Sequence, residues 1–223
     1  MRRAAILFLA LTLAACASLR DAGRARSQAD GMIAAAGARG VMQNVTRGDT
    51  PATLHPASGL ICWDIIGADP PARLTLAPGG AVVCDHPRAY SADRFSVRPA
   101  APGDTASTVL AARIAAEIAA RPDLHIRPPP GEPDDERLPS PVDPKRPWLY
   151  PGRTPDPEAW LASADGKTLI FLTARVARGW VYEARSEMPL SSYREFGAGL
   201  ISRVDDMLNP PTQPYEDRRP LPE

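Results

Sequence analysis

Proline is the feature that most limits how this chain can fold. Twelve of its 26 prolines fall in residues 122–157. Proline lacks a backbone N–H group and has a fixed φ, so this segment cannot form the interior of a helix or a sheet. Its composition favours polyproline II or a surface loop. We therefore predict a Pro-rich insertion at 122–157, held against the core by Trp148 and Tyr150, or else docked on a partner's aromatic groove.

Short extended segments and one helix precede this insertion. Alternating apolar and polar residues predict four strands, at residues 53–63, 72–75, 81–84 and 95–98. Asp104 and Thr105 are typical of a helix N-terminus, and Pro122 predicts that the helix ends at about Arg121. Leu110, Ile114 and Ile118 form the expected core-facing side of that helix, whereas Arg113 and Glu117 lie on the predicted opposite side.

Strands and a final helix follow the insertion. We expect strands at residues 159–163, 167–176 and 180–188, the last with Glu183, Arg185 and Glu187 on a solvated face. Ser192 to Glu195 reads as a capping box that starts a helix reaching residue 208. The chain is therefore predicted to be α+β, an antiparallel sheet covered by two main helices, in a single domain at 46–208. Residues 209–223 are expected to be a disordered tail.

The N-terminus has the pattern of an export signal. Arg2 and Arg3 precede an apolar run at 4–13, and small residues lead to Cys16. A basic start, an apolar core and small residues before a cut describe a secretory signal, and the core is too short to span a bilayer. We expect residues 1–15 to be removed and residues 16–45 to form a lipidated N-terminus with a helical tether.

The tetrapeptide Leu13-Ala14-Ala15-Cys16 resembles the lipobox of bacterial lipoproteins. The resemblance implies cleavage before Cys16 and acylation of its sulfur and its new amino group. Two or more acyl chains anchor a protein stably to a membrane. Ala17 resembles the default signal for the outer membrane, so the implied location is the periplasmic face of that membrane.

Cys62 and Cys84 remain once Cys16 is lipidated. An even pair of cysteines in an oxidising compartment predicts a disulfide. A zinc site built from His55, Cys62, Cys84 and His86 is the alternative, although the compact Cys-x-x-Cys spacing of structural zinc sites is absent. Free thiols are a third possibility, and no cofactor is expected.

Charge excludes one class of partner. The full chain has 26 basic and 26 acidic residues. Loss of residues 1–15 removes Arg2 and Arg3, so 24 basic and 26 acidic residues remain. Nucleic-acid binders normally carry a basic patch or a high isoelectric point. DNA and RNA are therefore not expected as partners.

Two further segments resemble a known group of proteins. The segment His55-Pro56-Ala57-Ser58-Gly59-Leu60-Ile61-Cys62 and the later run at 179–185 resemble a family of small uncharacterised exported proteins and lipoproteins of bacteria. That resemblance implies the pairing of Cys62 with Cys84 and attaches no activity. The order of elements is also similar to PsbP-like domains, in which helices cover an antiparallel sheet.

These patterns favour a non-enzymatic binding module that offers its surface to an envelope protein. A small-ligand carrier is one alternative. A second is an envelope hydrolase using His55 or His86, with Ser58 beside His55 as the most suitable nucleophile. His125 and Ser91 are further candidates for such a site. His55 and Ser58 are three residues apart, so on one continuous strand they would point to opposite faces. Catalysis is therefore the less favoured hypothesis.

Overall fold

The computed structural model describes residues 20–88, 91–127 and 157–193, and within them the chain is α+β with antiparallel sheets. The helices are α1 (residues 20–35), α2 (Ala106–Ala120) and the start of α3 (residues 190–193). The strands are β1 (Gln43–Asn44), β2 (Ala52–His55), β3 (Leu60–Trp63), β4 (Arg73–Ala77), β5 (Ala81–Pro87), β6 (Ala92–Pro99), β7 (Leu124–Arg127), β8 (Glu158–Ser163), β9 (Thr168–Ala177) and β10 (Trp180–Pro189).

The strands form a small sheet and a large one. The small sheet has the order β1-β2-β3, and the large sheet has the order β4-β5-β6-β10-β9-β8-β7. The β9–β10 hairpin turns at Arg178 and Gly179, whose φ angles of 54° and 78° are both positive. A two-residue type I′ hairpin turn requires this conformation. The strand predicted at 180–188 is confirmed as β10, which pairs antiparallel with β9.

The two faces of the large sheet pack against different elements. Side chains alternate along β10, so Tyr182 belongs to one buried cluster and Val181 to another. We call the two sides the disulfide face and the α2 face. The disulfide face packs with α1 and the small sheet through a cluster that includes Met32, Leu60, Cys62, Cys84, Phe95 and Tyr182. The α2 face packs with α2 through Val109, Leu110, Leu161, Leu172 and Val181.

Helix α1 is part of the folded core. Ala25, Ala29, Met32 and Ile33 are buried, and their spacing places them on one side of the helix. Gly23 and Gly31 lie within this helix, and a side chain at either position would meet open space. The expectation of a tether reaching residue 45 is corrected, because the packed structure already includes residue 25.

Helix α2 has the ends that the sequence predicts. Thr105 accepts a hydrogen bond from the N–H of Thr108 at 3.1 Å, and the Thr105 N–H donates to the Thr108 hydroxyl at 2.9 Å. This reciprocal capping box satisfies two otherwise unpaired donors. Arg121 closes the helix with an N–H bond to the carbonyl of Glu117.

The predicted solvated face at Glu183, Arg185 and Glu187 is wrong for Arg185 and Glu187, which are partly buried in ion pairs. Glu117, predicted on the side of α2 opposite its core-facing side, is buried and pairs with Arg185. Glu117 accepts two hydrogen bonds from the Arg185 guanidinium, at 2.9 and 3.2 Å. Arg185 and Arg121 each also bond to Glu187 at 2.6 Å. Glu117 lies three residues beyond the core-facing Ile114, so helical geometry carries it toward the sheet. We call these four charged residues the ion network.

Electrostatics keeps two members of the ion network charged. Burial alone would raise the pKa of Glu187, but its hydrogen bonds with Arg185 and Arg121 hold that pKa below its usual range. Burial lowers the pKa of Arg185, and its bonds to Glu117 and Glu187 more than offset this effect. Arg185 and Glu187 are therefore charged at neutral pH.

The predicted Pro-rich insertion begins with a strand. Strand β7 occupies the proline-free stretch between Pro122 and Pro128 and pairs with β8. The assignment of 122–157 as loop is therefore corrected for residues 124–127, and residues 128–156 lie outside the described part. The predicted C-terminal helix is described only at 190–193. Residues 194–208, the tail at 209–223 and the signal segment with Cys16 also lie outside it.

Candidate functional site

The disulfide joins the two sheets. Cys62 of β3 and Cys84 of β5 are bonded, with their Cα atoms 5.8 Å apart and 22 residues apart in sequence. Both side chains are completely buried. The disulfide that the sequence predicted is therefore present, and it links the small sheet to the large sheet.

His86 lies directly beside the disulfide. Its Nε2 atom is 3.6 Å from the sulfur of Cys84 and 2.5 Å from the carbonyl oxygen of Trp63. Because a carbonyl only accepts, Nε2 carries the proton in this bond. Burial lowers the pKa of His86, and the bond to Trp63 only partly opposes this shift. The buried imidazole is therefore neutral and serves to hold Trp63 at the end of β3.

The structure brings together three of the four residues of the zinc alternative. Ligand atoms of Cys62, Cys84 and His86 all lie within 4.8 Å of one another, and His55 does not belong to that group. Zinc binds thiolates and the free lone pair of an imidazole nitrogen. Here the sulfurs are committed to each other and Nε2 of His86 donates to a carbonyl. The arrangement fits a cystine better than a zinc site.

His55 and Ser58 meet, contrary to the sequence prediction. Residues 53–63 are not one strand, since β2 ends at His55 and β3 starts at Leu60. The intervening turn, with Gly59 at a φ of 79°, brings His55 Nδ1 to 2.8 Å from the Ser58 hydroxyl. The expectation of opposite faces failed because the turn breaks the two-residue alternation.

The contacts of this pair are structural. The Ser58 hydroxyl accepts the N–H of Leu60 at 3.1 Å, and the Tyr182 hydroxyl donates to the Ser58 carbonyl at 2.6 Å. The rings of His55 and Trp180 pack nearly perpendicular to each other, with their centroids 5.2 Å apart. His55 and Ser58 are each only 5 % exposed, so a substrate has no approach to the hydroxyl. This group therefore fastens the β2–β3 hairpin to β10.

A cleft lies where α1 approaches the end of β3. It has a volume of about 340 Å³ and is lined by Asp21, Asp49, Thr50, Trp63, Asp64, Ile65 and Ile66. Its walls combine carboxylates with apolar side chains. The sequence analysis missed it, because its residues come from three separate segments. The available signal was the apolar pair Ile65-Ile66 in a stretch outside any predicted strand.

Asp64 fixes the shape of this cleft. Its side chain is fully buried and one oxygen accepts hydrogen bonds from Arg88 and from the N–H of Ile65, at 3.0 and 2.8 Å. The other oxygen accepts bonds from Gln28 and from the N–H of Ala72, both at 2.8 Å. A buried carboxylate is stable only when paired and hydrogen-bonded in this way. Asp64 therefore ties the cleft wall to both α1 and the start of β4.

The remaining sequence candidates are not brought together. His125 is exposed on β7, and the Ser91 hydroxyl donates to Asp93 at 3.2 Å.

No family model matches this chain, and no curated protein and no solved structure matches it either. Among residues 20–88, 91–127 and 157–193, no helix is both long and apolar enough to cross a membrane.

Proposed function

We propose that this chain is a lipid-anchored protein on the periplasmic face of the bacterial outer membrane, and that it works by binding. The buried Cys62–Cys84 disulfide carries the proposal. Disulfides form and persist in oxidising compartments such as the periplasm. The signal-like segment at 1–15 and the lipobox-like Cys16 give the same destination.

Binding fits the described residues better than catalysis. The histidines proposed for a hydrolase, His55 and His86, are buried and hydrogen-bonded to neighbouring structure. The cleft beside Trp63 instead offers an open surface with carboxylate and apolar groups. Such a surface needs no cofactor to bind an envelope protein.

The cleft also supports the small-ligand carrier as a second candidate. Its volume of about 340 Å³ falls at the lower end of the range of small-molecule sites. A carrier would hold its ligand with Asp21 or Asp49 and would pack it against Ile65.

The finer features of the fold form part of the proposal. We propose that α3 continues through residues 194–208 as the second main helix against the sheet, and that residues 128–156 form the remainder of the Pro-rich insertion. Contact between the rings of Tyr193 and Trp160, 5.4 Å apart, supports the position of the start of that helix. The similarity to exported lipoproteins and to PsbP-like domains remains an expectation of the same kind.

Lipidation is tested on protein from bacterial membranes. We expect a mass that lacks residues 1–15 and includes acyl chains on Cys16. The Cys16→Ser variant should stay uncleaved and incorporate no labelled fatty acid. Full-length, unmodified protein in the wild-type membranes would contradict the anchor.

Binding and hydrolysis are separated by paired variants. Ser58→Ala should leave any envelope phenotype intact apart from a loss of stability. Asp49→Lys in the cleft should reduce crosslinking to the bound partner in intact cells. The opposite pattern would support the hydrolase. In that case Ser58→Ala would fold normally but lose activity, and Asp49→Lys would keep its activity.

A further inference from the structure

An exposed isoleucine stands at the rim of the cleft. Among the residues that the structure describes, the exposed large apolar side chains are Val41, Ile65 and Ile126, and Ile65 is 51 % exposed. Ile66 and Trp63 line the same cleft beside it. Ile65 is therefore the outermost part of a local apolar surface, whereas Ile126 lies on the edge strand β7.

The backbone holds Ile65 in this exposed position. Its N–H donates to Asp64 at 2.8 Å, and its carbonyl accepts a bond from Gln28 of α1 at 3.3 Å. Asp64 is itself fully buried and paired with Arg88. Collapse of the isoleucine onto the core would break these bonds, so its exposure belongs to a rigid loop. Rigid presentation lowers the entropic cost of docking.

The length of chain before α1 places this rim near the membrane. The described part of α1 begins at residue 20, four residues after Cys16, and Asp21 lines the cleft. Four residues span at most about 14 Å even when fully extended. Acyl chains on Cys16 would therefore hold the cleft within about that distance of the lipid headgroups.

The charges around the rim have both signs. Asp21 and Asp49 line the cleft, and Arg24 lies 3.8 Å from Asp21 with its side chain 71 % exposed. Arg47 is exposed and pairs with Thr50 across the turn that forms another wall. Carboxylates suit the ammonium of a zwitterionic headgroup, and guanidinium groups suit its phosphate.

We propose that this rim docks on the bilayer surface, with Ile65 entering the headgroup region and the charged residues meeting ethanolamine phospholipids. This inference rests on the lipid anchor proposed above. It adds the bilayer as a contact of the cleft rim, while the envelope protein binds in the cleft itself. The anchor supplies most of the affinity, and the rim sets the orientation of the domain. The opposite edge, at β7, then faces away from the membrane.

The test places a fluorophore at Ile65→Cys or at Ile126→Cys in the lipidated chain. Both parent side chains are exposed, and β7 lies six strand positions from β4, roughly 29 Å across the sheet. Each variant is reconstituted in phosphatidylethanolamine vesicles with a minor fraction of phosphatidylglycerol. Lipids carrying a nitroxide on the headgroup, and separately a water-soluble nitroxide, quench the label.

We expect the lipid nitroxide to quench the label at 65 several-fold more strongly than the label at 126, and the soluble nitroxide to do the reverse. Equal quenching at both positions would overturn the inference. Shielding of position 65 from both quenchers would show that protein covers the rim, which also overturns it. If Ile65→Cys fails to fold, Asp49→Cys on the same rim gives the same comparison.

The anchor itself is measured first on each sample. An intact mass that shows no acyl chains on Cys16 would contradict both the proposed function and this inference. Acylated protein with equal quenching at 65 and 126 would remove the inference alone.

Discussion

The two faces of the large sheet are held by different chemistry. On the disulfide face, α1 and the small sheet pack through apolar side chains, a cystine, hydrogen bonds such as that of Tyr182, and one buried ion pair between Asp64 and Arg88. On the α2 face, an apolar cluster is joined by the ion network of Glu117, Arg121, Arg185 and Glu187. The stability of the disulfide face should therefore depend on redox state, and the stability of the α2 face should depend on ionic strength.

The difference determines how each face responds to salt. Salt screens partly exposed ion pairs, whereas a buried cystine is unaffected by it. The disulfide face also carries the cleft, whose wall is fixed by Asp64. The cleft therefore lies on the face whose packing depends least on salt.

Removal of a core aromatic should have the largest effect. Phe95 is 2 % exposed on the disulfide face, and Phe95→Ala should lower the free energy of unfolding by about 3–5 kcal/mol. Leu172→Ala on the α2 face should cost about 2–5 kcal/mol. Urea titration gives both values, with Ile126→Ala as an exposed control. If Phe95→Ala cost no more than the control, the disulfide face would not be a packed core.

Removal of the cystine should rank next. The chain-entropy estimate for a 22-residue separation gives a loss of about 3 kcal/mol. The double variant Cys62→Ala with Cys84→Ala should show it, and a reducing agent should lower the stability of the wild type alone. An unchanged unfolding midpoint in both cases would contradict the role of the cystine.

Breaking the ion network should cost less and should depend on salt. Glu117 and Arg185 side chains are 10 % and 17 % exposed. Glu117→Gln should lose about 1.5–3 kcal/mol, the range for hydrogen bonds to charged groups. High salt should reduce the difference between wild type and variant. Arg24→Ala, in an exposed pair, serves as control, and a larger loss there would reverse the comparison.

Mild acid should act on the disulfide face. Burial lowers the pKa of His86 and of His55, so the unfolded chain binds protons there at a pH where the folded chain does not. The free energy of unfolding should therefore fall as pH drops below about 6.5, down to the folded pKa values. His86→Gln should flatten this slope, with His125→Gln as the matched control. A slope that survives in His86→Gln and His55→Gln together would contradict this assignment.

The alternation of apolar and polar residues, together with turn-forming and helix-capping residues, predicted much of the fold. The turn at 178–179, the N-cap at Thr105 and the alternation in β10 depend on local chemistry, and all are present. The location of Glu117 was missed because Arg185, its partner, is 68 residues away in sequence. A charged residue beside an apolar helix face has no local signature that distinguishes solvent from a buried ion pair.

The candidate site was predictable only in part. The sequence indicated that Cys62 and Cys84 pair, but compartment and composition cannot say which elements the bond joins. The turn after His55 was missed because residues 53–63 read as one apolar segment despite Pro56 and Gly59. The cleft could not be anticipated, since Asp21, Asp49 and Ile65 converge only through packing.

The central claim is a disulfide-linked domain anchored at Cys16, and it is tested most directly by non-reducing mass spectrometry of protein taken from native membranes. The account predicts one species that begins at Cys16, bears acyl chains and yields a linked peptide pair containing Cys62 and Cys84. A species that retains residues 1–15, without acyl chains and with both cysteines as free thiols, would contradict it.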